Sequence, residues 1–160
     1  MPINIRDYPC PKLATDIIIE YDNGKKEGIV LITRKNFPYG LALPGGLHEL
    51  GLSAEENAQK EAREETNLEV IIETPEEPLC YQSNPNRDPR YHIVTATYIA
   101  SGQGTLKAKS DAKTAALYSR EELTDILQKE TFAFPDHKRA LEKYLQRYAL
   151  NTSEKHRKKT

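Results

Sequence analysis

Hydrophobic positions along the chain fall into short runs separated by polar, turn-rich stretches. Residues 14–21 (ATDIIIEY) are rich in β-branched side chains and read as a strand. Asp22, Asn23 and Gly24 give a turn signal, and residues 28–34 (GIVLITR) a second strand paired with the first as a hairpin. Residues 41–43 form a short strand leading into a Gly-Gly turn at Gly45 and Gly46. The pattern then turns helical. Ser53 and Glu56 make the S-x-x-E signature of a capping box, so a helix spans about 54–66. Its Ala54, Ala58 and Ala62 form a small-residue stripe suited to packing on a sheet. Strands follow at 68–74, 79–82, 92–100 and 114–118, with a polar loop at 83–90, a turn at 101–104 and a charged connection at 107–111. Residues 120–128 have helical spacing, and a last helix runs from Pro135 to about 150. Strands, helix, strands and two helices predict an α+β fold with a mixed sheet.

Composition changes this picture little. The 160 residues are 38% hydrophobic and 29% charged, with no internal repeat or linker, which predicts one domain over 1–150. A net charge of −1 gives no overall pull towards nucleic acid or membrane. It hides a basic tail at 151–160, where Lys155, Arg157, Lys158 and Lys159 crowd together. That tail reads either as a frayed, solvated end or as a docking point for an anionic partner. No run has the length of a membrane span, and the first residues lack a basic-then-apolar signal, so a cytoplasmic protein is expected. Cys10 and Cys80 have no CxxC spacing, and no disulfide is expected.

The chemistry concentrates on the first helix. Glu61, Glu64 and Glu65 are spaced i, i+3, i+4 and project from one face. Two readings are open. Pairs of Lys60 with Glu56 and Glu64 suit a solvated charged face. Alternatively, the mutual repulsion of Glu61 and Glu65 calls for a cation, and Mg²⁺ prefers such carboxylates and bridges to substrate phosphates.

From Gly46 to Leu68 the chain resembles the Nudix box, G-x5-E-x7-R-E-U-x-E-E-x-G-U, where U is bulky and aliphatic. Glu61, Glu64 and Glu65 fall on the metal-site glutamates. Four positions depart: Leu52 replaces the first Glu, Lys60 the Arg, Ala62 the first U and Asn67 the last Gly. Asn67 tolerates the left-handed conformation of a helix C-cap. The Glu and Arg that brace the family's box are both altered, and Glu49 is a candidate substitute acid. The resemblance implies a mixed sheet sandwiched between helices.

Three further stretches resemble the small ADP-ribose pyrophosphatases of that family. They are the lead strand with GIVLITRKNFPYGLALPGG, NRDPRYHIVTATYIA, and SDAKTAALYSREEL followed by FAFPDHKRAL. The resemblance implies Mg²⁺-dependent hydrolysis, with Mn²⁺ as an alternative ion, of a nucleoside diphosphate-linked small molecule. ADP-ribose would give AMP and ribose 5-phosphate. Glu61 and Glu65 are the implied metal ligands, with the Gly45 carbonyl; Glu64 is a ligand or the general base, and Asp111 an alternative base from a distant loop. Arg34, Arg87 and Arg90 are expected on substrate phosphates, Tyr39 or Phe37 on adenine, and a homodimer is an expectation by analogy. The rival readings are a nucleotide-pool or dinucleoside-polyphosphate hydrolase and a binding module impaired in catalysis.

Overall fold

A computed structural model describes residues 4–157, with side chains through residue 154. Eight strands form one mixed sheet. In chain order they are β1 (Lys12–Asp22), β2 (Glu27–Arg34), β3 (Leu41–Ala42), β4 (Gly45–Leu47), β5 (Glu69–Ile72), β6 (Cys80–Gln82), β7 (Ile93–Gln103) and β8 (Ala112–Tyr118). The helices are α1 (Ala54–Thr66), α2 (Arg120–Lys129) and α3 (Pro135–Arg157). The main path runs β3-β2-β1-β7-β5, with β4 beside β1, β6 beside β7 and β8 beside β2. β1 and β7 are parallel and the other pairings antiparallel.

The run of apolar residues in β1 follows from its central place. Ile17 and Ile19 point to one face and Ile18 to the other, and all three are fully buried. Ala58 and Ala62 of α1 pack on the first face, with Leu68 and Tyr98. Leu123 of α2 and Leu141 and Tyr144 of α3 cover the second. The sheet is mixed, as the element pattern predicts, and sandwiched between helices, as the resemblance implies.

α1 forms where the sequence places it. Ser53 Oγ accepts from Glu56 N–H and Glu56 returns a carboxylate to Ser53 N–H, while Asn67 closes the helix in the left-handed region at φ 64°. The expected hairpin of β1 and β2 is present, with Gly24 in its turn at φ 82°.

Three expectations are corrected. Gly45 and Gly46 are not a turn but the start of β4, paired with Asp16 and Thr15 of β1. Close approach, rather than an unusual backbone angle, demands glycine there: a Cβ on Gly45 would lie 2.3 Å from the Thr15 carbonyl oxygen. The strand expected to end at residue 100 continues to Gln103, because residues 101–103 pair with β5. The last helix passes 150 and reaches Arg157. The side chains of the basic tail from residue 155 lie outside the described residues. Among the described residues, Cys10 and Cys80 are free, and no helix is long and apolar enough to cross a membrane.

Candidate active site

A cavity of about 410 Å³ opens between β1, β4, the glutamate face of α1, the polar loop before β7 and the first turn of α3. Its two walls carry opposite charge. Glu61, Glu64 and Glu65 line one side, and Arg34, Arg87 and Arg90 the other; Gly45, Gly46 and Asp111 also line it.

On the acidic wall, helical spacing brings the glutamates together but burial divides them. Glu65 is buried, and its Oε2 accepts the Gly45 N–H at 2.9 Å. Burial pushes its carboxyl up to about 8, against the pull of that N–H and with a further push from the Glu61 charge. Glu61 is half-buried and raised in the same direction, by burial first. Its carboxylate lies against β4: a Cβ on Gly46 would sit 2.5 Å from Glu61 Cδ. Glu64 is exposed and pairs with Lys60 at 2.8 Å.

Lys60 also pairs with Glu49 at 2.9 Å, and the two carboxylates hold its ammonium above the usual lysine range. Lys60 thus has an acidic partner in Glu49. Buried Asn57 reinforces the arrangement, accepting from Glu49 N–H at 3.0 Å and donating to Thr15 Oγ1 at 2.8 Å.

The donor set suits a hard divalent cation. Glu61 and Glu65 are adjacent carboxylates whose ionised forms are disfavoured by burial, and the nearest lysine is committed elsewhere. As the side chains stand, no three acidic, imidazole or thiol groups among the described residues converge on one point.

The basic wall is built on Phe134. The guanidiniums of Arg34, Arg87 and Arg90 lie 5.3, 5.7 and 5.6 Å from its ring centroid. Arg87 forms a buried ion pair with Asp136 at the start of α3, and Arg90 pairs with buried Asp88 at 2.7 Å. Arg34 donates Nε–H to the Pro38 carbonyl at 3.0 Å. Burial and the Arg90 charge lower its proton affinity, so the cluster favours an added anion.

The other expected residues fare unevenly. Asp111 is exposed at the cavity edge, where Lys35 N–H binds its carbonyl. Tyr39 and Phe37 do not line the cavity: they are 66% and 57% exposed and meet each other edge-on. Arg34, holding the Pro38 carbonyl, is the group this segment turns inward.

A family model of the NUDIX domain matches residues 11–144. The chain belongs to the NUDIX domain family. It is 38% identical over 143 residues to an ADP-ribose pyrophosphatase of Methanocaldococcus jannaschii, covering 88% of this chain and 76% of that protein. Over 98 residues it is 35% identical to the ADPR responsive transcriptional repressor NtrR of Acinetobacter baylyi, covering 59% of this chain and 38% of the repressor. Its fold superposes on the NUDIX domain of Shewanella oneidensis NrtR complexed with ADP ribose. The TM-score is 0.74 and the identity 22%, covering 92% of this chain and 94% of that one. At that identity the likeness is one of fold.

Residue spacing missed Phe134, Asp136, Asp88 and Asp16, all at or beside the cavity. One signal was present: Asp16 is an acid directly before the apolar run Ile17, Ile18, Ile19.

Proposed function

We propose that the protein is a divalent-metal-dependent Nudix hydrolase that cleaves the pyrophosphate of ADP-ribose, giving AMP and ribose 5-phosphate. The observation that carries this reading is the combination lining one cavity: three glutamates, two of them held above the usual carboxylate range by burial, with three arginines on one phenyl ring. A diphosphate bears charge for the arginines and oxygens for a metal. The similarity to a pyrophosphatase of that name narrows the diphosphate to ADP-ribose.

Glu61 and Glu65 would hold Mg²⁺, or Mn²⁺, with the Gly45 carbonyl and Glu64 as further donors. The bound ion supplies Lewis acidity and lowers the pKa of coordinated water. The chain's own groups do the rest. Arg34, Arg87 and Arg90 neutralise the phosphates and fix their orientation. The oxygen of a water bonds to phosphorus, the bridging P–O bond breaks, and the bridging oxygen leaves with its phosphate. The water's proton passes to a carboxylate. Glu64 serves that role if it leaves Lys60, and Asp111 is the alternative at the cavity edge.

The pairing of Glu64 with Lys60 also favours a second reading, a binding module impaired in catalysis. Purified protein with Mg²⁺ is to be assayed against ADP-ribose, dinucleotides and nucleoside triphosphates. Hydrolysis of ADP-ribose above the others supports the enzyme. Binding of ADP-ribose with no product from any substrate supports the module.

A further inference from the structure

A buried carboxylate and imidazole line the same cavity, and no step of the hydrolysis uses them. Asp16 of β1 is 7% exposed and His137 of α3 is 2% exposed. Asp16 Oδ2 and His137 Nε2 stand 3.1 Å apart, off the line of a good hydrogen bond, and neither atom has another hydrogen-bond partner among the described residues. The other ring nitrogen is committed, because Leu43 N–H donates to Nδ1 at 3.0 Å. A nitrogen that accepts carries no proton, so in the neutral ring the proton sits on Nε2 and faces Asp16. One imidazole therefore joins α3, β1 and the Leu-Pro-Gly-Gly segment.

These contacts lead to the site. The Pro44 carbonyl accepts Ile17 N–H at 2.9 Å, and Gly45 lies opposite Asp16 in the ladder of β1 and β4. The approach is close enough that a Cβ on Gly45 would lie 2.5 Å from Asp16 Oδ1. The Gly45 N–H in turn holds Glu65 Oε2 at 2.9 Å. We infer that His137, through Asp16 and Leu43, is a positioning residue that places the Gly45 amide on Glu65 and so orients that carboxylate. Only the consequence for metal binding rests on the proposed function; the placement of the amide does not.

The first measurement uses metal-free protein. Hydrogen exchange at the Gly45 amide is followed by NMR in wild type, His137→Leu, His137→Asn and Asp16→Asn. His137→Leu should speed exchange at Gly45 about tenfold, the scale of one hydrogen bond, while Val30 in β2 stays unchanged. His137→Asn supplies an acceptor for Leu43 N–H and should restore much of the protection. Unchanged exchange at Gly45, or a rise shared equally by Val30, overturns the inference. If His137→Leu does not fold, Asp16→Asn and His137→Asn report on the same amide. The second measurement is Mn²⁺ affinity by calorimetry, expected to fall about tenfold in His137→Leu and Asp16→Asn. A Gly45 response with unaltered Mn²⁺ affinity leaves the positioning intact and removes Glu65 from the metal set.

Discussion

Glu65 shows how one buried residue carries a measurable signature. Its carboxyl is raised from an ordinary value of 4.5 to about 8 in the folded, metal-free protein. The folded state therefore binds more protons than the unfolded state between those values. Stability falls as pH rises through that window and levels off above it, and Glu61 pushes the same way. Glu65→Gln should flatten the decline in the metal-free melting temperature with pH; an unchanged slope contradicts the burial of an ionisable group there. Glu49 and Lys60 act differently. Exposed pairs of this kind contribute under about 1 kcal/mol to stability, so the role of Glu49 is to compete with Glu64 for Lys60 and let Glu64 act as base. Glu49→Gln should leave the melting temperature nearly unchanged while lowering kcat about tenfold. Leu52→Glu should change kcat by less than about twofold, because Lys60 already has its acid. A large gain from Leu52→Glu would show that the brace is missing after all.

At the scale of elements, β4 separates fold from chemistry within two adjacent glycines. On Gly45 a methyl group meets backbone, the Thr15 carbonyl, which cannot yield without breaking the pairing with β1. Gly45→Ala should destabilise the protein by about 1–3 kcal/mol in denaturant unfolding. On Gly46 it meets the end of the Glu61 side chain, which can move. Gly46→Ala should unfold at nearly the wild-type denaturant concentration yet lose most activity; the reverse pattern would contradict the geometry. This element was also the least legible in the sequence. α1 could be read to the residue because its signals are local, a capping box at Ser53 and a left-handed cap at Asn67. β4 is made by non-local approach, and two glycines in a row read as a turn when the strand they pair with is out of view. The extension of β7 to Gln103 was hidden for the same reason, since its partners lie in β5.

Across the whole molecule, the sequence disclosed the acidic wall and only parts of the basic one. Three glutamates on one helical face need no tertiary information. Arg34, Arg87 and Arg90 come from a strand end and a loop, and become one site only through Phe134, which the fold delivers at the entry to α3. No periodicity links those four positions. The same limit explains Tyr39, chosen as an exposed loop aromatic and found outside the cavity. The central claim is that the two walls together hydrolyse a nucleoside diphosphate sugar. The direct measurement is product analysis after incubating wild type and Glu65→Gln with ADP-ribose and Mg²⁺. AMP and ribose 5-phosphate should appear in equal amounts with wild type and fall about 10²- to 10³-fold with the variant. Bound but uncleaved ADP-ribose with wild type, or equal turnover by both proteins, would contradict it.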